Sequence, residues 1–137
     1  MALETTLLYE LELPVPFTCA DGTGIEKGAL LILTDPMTVA TTTGDTDAIV
    51  GIAAEEKIAN DGRVTIPVYM RGIFKGFAGA AGVTAGQAII SDTGTGAANE
   101  LVIADVNSEH IVGRALETAT DTQSFKFILA PFSANLA

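Results

Sequence analysis

The chain has 137 residues, 48% of them hydrophobic, and seventeen acids against seven bases give a formal net charge of −10. That length suits one domain with a core of its own, and the acid excess argues against nucleic-acid binding, which needs a basic footprint, and against an anionic membrane surface. Charged residues make up only 18%, below the roughly 25% usual for soluble domains, a composition compatible with burial in an assembly.

The first elements lie in residues 1–19. Leu7, Tyr9, Leu11 and Leu13 alternate with Leu8, Glu10 and Glu12, a period of two that predicts a half-exposed strand. Pro14 and Pro16 end it and hold the next backbone extended. This segment is either an arm that adds to a neighbour's sheet edge or an ordinary first strand. No secretory leader and no membrane-spanning stretch is expected from the N-terminus onward. Cys19, the one cysteine, is expected to be a buried small hydrophobe. Asp21 to Gly24 is a turn, and Lys27-Gly28 turns into Ala29 to Leu33, an apolar run that predicts a strand buried on both faces. Thr38 to Asp47 reads as a short edge strand and a loop. Ala48 to Ala54 reads as a buried strand in which Gly51 marks a bulge or a close backbone approach. Asn60-Asp61-Gly62 is expected at a hairpin tip, followed by a strand alternating through Val64, Ile66, Val68 and Met70. Pro67 within it calls for a sheet edge or a bulge.

Arg71 to Val83, with four glycines, reads as a packed joint. Beyond it the pattern recurs. Ile25-Glu26-Lys27-Gly28 is echoed by Val83-Thr84-Ala85-Gly86, and Ile49-Val50-Gly51-Ile52-Ala53 by Ile111-Val112-Gly113-Arg114-Ala115. Val64 to Val68 is echoed by Phe125 to Leu129, with Asp121-Thr122 at the corresponding turn. The Ile-Val-Gly triplets begin at residues 49 and 111. Such self-similarity decides architecture. It predicts an all-β fold: a small antiparallel β-barrel or sandwich built from two similar halves, with an extended N-terminal arm or strand. The expected organisation is an arm over 1–19, a single β domain over 20–132 with half-repeats at about 25–70 and 83–130, and a tail at 133–137.

Catalytic constellations are sparse. Asp92-Thr93-Gly94 after Ile89 and Ile90 has the form of an aspartic-protease loop, and a homodimer would supply two such aspartates. Only about 17 residues lie between Gly94 and Ile111, too few for a flap, and Asp-Thr-Gly is also a common turn tripeptide. His110 is the sole histidine, and no nucleophile elbow accompanies it. Asp45, Asp47, Glu55 and Glu56 lack EF-hand spacing and read as a solvated acidic face. No catalytic residue, metal site or cofactor is expected.

The four motifs at Ile25, Ile49, Val83 and Ile111 resemble a family of tailed-bacteriophage capsid decoration proteins, small phage structural proteins known as a domain of unknown function. The resemblance covers roughly residues 15–132. It implies a non-catalytic protein that binds the outside of an expanded capsid, typically as a homotrimer at three-fold positions, and reinforces it. The implied partners are the major capsid protein and the chain itself, with neither nucleic acid nor membrane. The implied location is the capsid surface of the virion, after synthesis in the host cytoplasm. The N-terminal stretch Leu3 to Leu13 is more regular and apolar than a loose arm needs. Leu7, Tyr9, Leu11 and Leu13 are therefore the candidate residues for capsid or subunit contact. The alternatives are another virion module, such as a tail or fibre-base β domain, and a homodimeric aspartic protease using Asp92.

Overall fold

The computed structural model describes residues 4–42, 49–91, 99–104 and 110–133, and the regular structure there is all β-strand. Strands β2 (Val15–Thr18), β3 (Leu30–Asp35), β4 (Thr38–Thr41), β5 (Ile49–Ala53) and β6 (Thr65–Tyr69) close a barrel in the order β2-β4-β3-β5-β6. Its pairs are antiparallel except β2 with β4, which meet in parallel at Thr18 and Thr38. Phe17, Leu31, Val39, Ala53, Ile66 and Val68 fill it. Cys19 is buried in the same cluster as a free thiol, and burial pushes its pKa up.

The second half forms a six-stranded sheet with β1 (Thr6–Glu10), β7 (Gly72–Phe77), β8 (Ala88–Ser91), β9 (Leu101–Ile103), β10 (His110–Ala115) and β11 (Ser124–Ser133), in the order β1-β7-β11-β10-β8-β9. Ala78, just past β7, bridges Leu101 of β9 in parallel, so the sheet curls as the barrel does without closing fully. Its inner face carries aromatic rings. Phe127 stacks on Phe74 with centroids 6.0 Å apart and lies 5.7 Å from Phe125. Leu30, Ile49 and Ile52 of the barrel belong to this second core, and Tyr69 meets Phe74 edge-on at 5.8 Å.

The sequence echo has a backbone counterpart. Ala29 N–H donates to Glu26 carbonyl at 3.1 Å and Gln87 N–H to Thr84 carbonyl at 3.0 Å. The third residue of each turn is glycine at positive φ, Gly28 at 84° and Gly86 at 89°, as a type II turn requires. Gly28 N–H then donates to the Ala53 carbonyl at 2.9 Å where Gly86 N–H donates to that of Ala115 at 2.8 Å. Ile25 bridges Lys57 as Val83 bridges Ala119. At the next matching step Ala54 N–H donates to the Pro67 carbonyl at 3.0 Å and Leu116 N–H to that of Lys126 at 2.8 Å. A Cβ on Gly51 would lie 2.3 Å from the Tyr69 carbonyl oxygen, and one on Gly113 would lie 1.9 Å from that of Ile128. Only glycine lets these strands approach so closely.

Several elements differ from expectation for physical reasons. Leu30 and Leu31 are buried, but Leu33 is 48% exposed, so β3 is buried at one end only. Strand β4 lies between β2 and β3 and is not an edge. Asn60-Asp61-Gly62 does turn the chain between the antiparallel strands β5 and β6, with Asn60 at φ 62° and Gly62 at φ 87°, and Lys57 ties that connection to Asp21. Part of the expected joint is strand β7. Pro16 lies within β2, directly opposite Pro67. Opposed residues of an antiparallel pair exchange both hydrogen bonds or neither, so two prolines can face each other only where no donor is needed.

Candidate interaction surfaces

The N-terminal segment is the first candidate. Strand β1 pairs antiparallel with β7 within the same chain, forming an edge of the six-stranded sheet. Its backbone is fixed where it passes the barrel: Thr5 N–H donates to the Gly28 carbonyl at 3.2 Å, and the Thr5 hydroxyl donates to the same oxygen. Asn99 reinforces that point from the second half, donating from Nδ2 to the Gly28 carbonyl at 3.0 Å and accepting from Leu30 N–H at 2.7 Å.

The four predicted contact residues do not share a face. Leu7 pairs with buried Phe74 and packs against the core, whereas Tyr9 pairs with Ile73. The register shifts between them, because Leu8 is the extra residue of a bulge, and a one-residue slip turns the next side chain to the other face. Tyr9, Leu11 and Leu13 are exposed, at 64%, 49% and 77%. The exposed apolar residues of the segment are therefore Leu8 and Tyr9 on β1 and Leu11 and Leu13 beyond its end, with Leu7 serving the core. Beneath β1 lies a cleft of about 270 Å³ lined by Glu4, Thr5, Leu7, Lys27, Tyr69 and Phe74 among others. Burial, then the Glu10 carboxylate beside it, raises the Tyr69 phenol above its ordinary range.

The second feature is Lys57, whose side chain is fully buried. Its ammonium donates to the carbonyls of Asp21 at 2.8 Å and Ile58 at 3.0 Å, and reaches the carboxylates of Asp61 at 3.2 Å and Asp21 at 3.4 Å. Every proton has an acceptor, as a buried ammonium demands. Asp61 is held below the usual carboxylate range, first by the Arg63 N–H at 2.9 Å and then by Lys57. The cluster clamps two loops together.

The third feature, not foreseen from the sequence, is the outer face of the curled sheet. Lys75 and Lys126 stand directly opposite each other on β7 and β11, and Arg114 stands opposite Ile128 on β10 and β11. All three cations are exposed, around half-buried Ile73, Phe77 and Ile128. The signal for it was the alternation of Lys126 between Phe125 and Phe127, and of Lys75 between Phe74 and Gly76. Which face a cation shares with another cation is set by strand pairing, which the sequence does not print.

Among the described residues, the groups singled out for chemistry form no shared site. Asp92 lies outside the described residues, as do Asp45 and Asp47. Glu55 pairs with Arg63 at 3.3 Å in solvent. His110 opens β10 opposite Ser133. Among the described residues no group of three or more His, Cys, Asp or Glu side chains is placed to hold a metal ion.

The sequence profile of a family described as phage cement protein matches residues 11–130. No match was found among curated proteins. Among solved structures, the N-terminal base of head fibre gp8.5 of bacteriophage phi29 is similar in fold, with a TM-score of 0.55 and 17% sequence identity. The likeness covers 87% of this chain and 96% of that one.

Proposed function

The chain belongs to the phage cement protein family, and from that premise we propose that it decorates the outside of a bacteriophage capsid and reinforces the shell, without catalysis. A structural role in the phage virion follows from the family itself. The finer reading is carried by the extent of the match, which spans both halves of the chain. The surface is consistent with it, since the exposed features are broad faces and the apolar residues of the N-terminal segment.

In this reading Tyr9, Leu11 and Leu13 contact the major capsid protein, and copies of the chain associate as a homotrimer. A protein that binds the assembled shell and not its free subunits stabilises the shell by mass action. A cluster of linked copies gains avidity beyond any single contact. Truncation of residues 1–13 would also strip β1 from its sheet, so point substitutions test the contact more cleanly. A Tyr9→Ser, Leu11→Ser, Leu13→Ser variant is expected to melt within a few degrees of the parent and to lose cosedimentation with expanded capsids. Undiminished occupancy would remove these residues from the contact, and failure of the parent chain to cosediment would sink the decoration reading.

One neighbouring reading rests on the fold shared with a head fibre base: a module that seats a fibre on the head. Electron microscopy of particles labelled at the C-terminus separates the two. Label spread over the shell lattice supports decoration, and label at a few projecting sites supports a fibre base.

A further inference from the structure

The recurring hydrogen bonds allow the two halves to be matched strand by strand. Pro67 and Lys126 accept at the same step, from Ala54 and Leu116. Cys19 N–H donates to the Val64 carbonyl at 2.9 Å where Ala78 N–H donates to that of Gln123 at 2.9 Å. Strand β2 thus corresponds to β7 and β6 to β11, and Pro16 opposite Pro67 takes the place of Lys75 opposite Lys126. Strand β1 has no counterpart. It is an added strand seated on β7, with Thr6 opposite Lys75 and Leu7 opposite Phe74.

Among the described residues no strand occupies the equivalent seat on β2. The barrel closes there through the single pair Thr18 with Thr38, and Val15 and Pro16 pair with β6 alone. The two seats differ by one backbone donor. In an antiparallel strand the N–H and C=O of one residue point to the same side. The Lys126 carbonyl is taken by Leu116, so Lys126 turns away from β7, and Lys75 opposite it turns its own N–H and C=O toward Thr6 of β1. The Pro67 carbonyl is likewise taken by Ala54, so Pro16 turns its backbone to the open edge. Thr18, two residues on, uses that same side to donate to the Met37 carbonyl at 2.7 Å. Proline has no N–H to offer there. The donor that seats β1 on β7 is therefore the one missing from β2.

A row of unpaired backbone groups invites another strand, and a proline on the edge blunts it. The strand that fits this edge is β1, since it already pairs with β7, the counterpart of β2. Its outer side is open as well. Strand β1 ends the six-stranded sheet, with Leu8 37% and Tyr9 64% exposed, whereas β9 at the other end is bridged by Ala78. We propose that Pro16 closes the open edge of β2 against strand β1 of a second copy, and so keeps copies of this chain from joining edge to edge. Without it, one copy would offer β1 and the next β2, a head-to-tail contact that grows into a filament where the rotation does not close a ring.

Sedimentation and light scattering of the full chain, of Pro16→Val and of Pro67→Val test it across a dilution series. The parent is expected to keep one mass at every concentration. Pro16→Val regains the missing donor in a strand-forming residue and is expected to associate about tenfold more tightly, the worth of one hydrogen bond, its mass rising with concentration and without a limit. Pro67→Val removes a proline from the same barrel but not from the open edge, and is expected to behave as the parent. Adding Leu8→Lys to Pro16→Val places a charge on the exposed edge of β1 and is expected to restore the parent's behaviour. A parent that already grows without limit, a Pro16→Val chain that keeps the parent's mass, or equal growth in Pro67→Val overturns the role of Pro16. Growth of Pro16→Val that survives Leu8→Lys overturns β1 as the strand it excludes.

Discussion

The barrel and the curled sheet share a backbone plan and fill it differently. Where the barrel has Ile66 and Val68, the sheet has Phe125 and Phe127, all four buried. Where the barrel clamps its loops with Lys57, the sheet has Ala119 at the matching bridge. Where the barrel turns Leu30 and Ile52 onto a neighbouring core, the sheet turns Arg114 and a lysine pair to solvent. The frame is therefore set by a few backbone demands, chiefly the glycines at the turns and close approaches. The side chains left free of those demands differ, anchoring loops in one half and facing solvent in the other.

The core contrast gives the largest expected effects. Phe127→Ala removes a ring packed between two others and is expected to cost about 4 kcal/mol, against about 2 kcal/mol for Val68→Ala at the matching place. Chemical denaturation of both variants checks this, and equal losses would mean that the aromatic core adds nothing beyond the aliphatic one. Next in size is Lys57→Met. It leaves two backbone carbonyls without their donor, while Asp21 and Asp61 stay partly hydrated, so a loss of about 2 kcal/mol is expected. A neutral outcome in the same assay would show that the clamp is dispensable.

The smallest effect concerns pH. Asp61 is depressed in the folded state by the Arg63 N–H and by Lys57. Its stabilisation is therefore present above the ordinary aspartate pKa of about 4 and is lost as pH falls through the lower folded value. Melting temperatures recorded between about pH 2 and 6 should fall on the acid side in the parent and fall less in Asp61→Asn. Superimposable profiles would show that Asp61 carries none of the acid sensitivity.

The recurring frame was legible because glycine at a positive φ or at a close approach has no substitute, so Gly28, Gly51, Gly86 and Gly113 recur at matched places. The alternation of Phe125, Lys126 and Phe127 likewise declared its inner and outer faces. Three things were not legible. The bulge at Leu8 has no residue signature, yet it moves Tyr9 to the opposite face from Leu7. The role of Lys57 depends on Asp21, 36 residues away. Strand β7 was obscured by its glycines, one of which makes room for an aromatic ring: a Cβ on Gly76 would lie 2.8 Å from Phe127 Cε1. Each is a tertiary contact overriding a local pattern.

The central claim is that this chain cements a phage shell. Calorimetry of expanded capsids titrated with the full chain tests it most directly. The expected result is a shell transition that moves to higher temperature and stops moving when a fixed number of copies per shell is bound. A transition that stays where it was, with the chain bound at saturation, would contradict the claim.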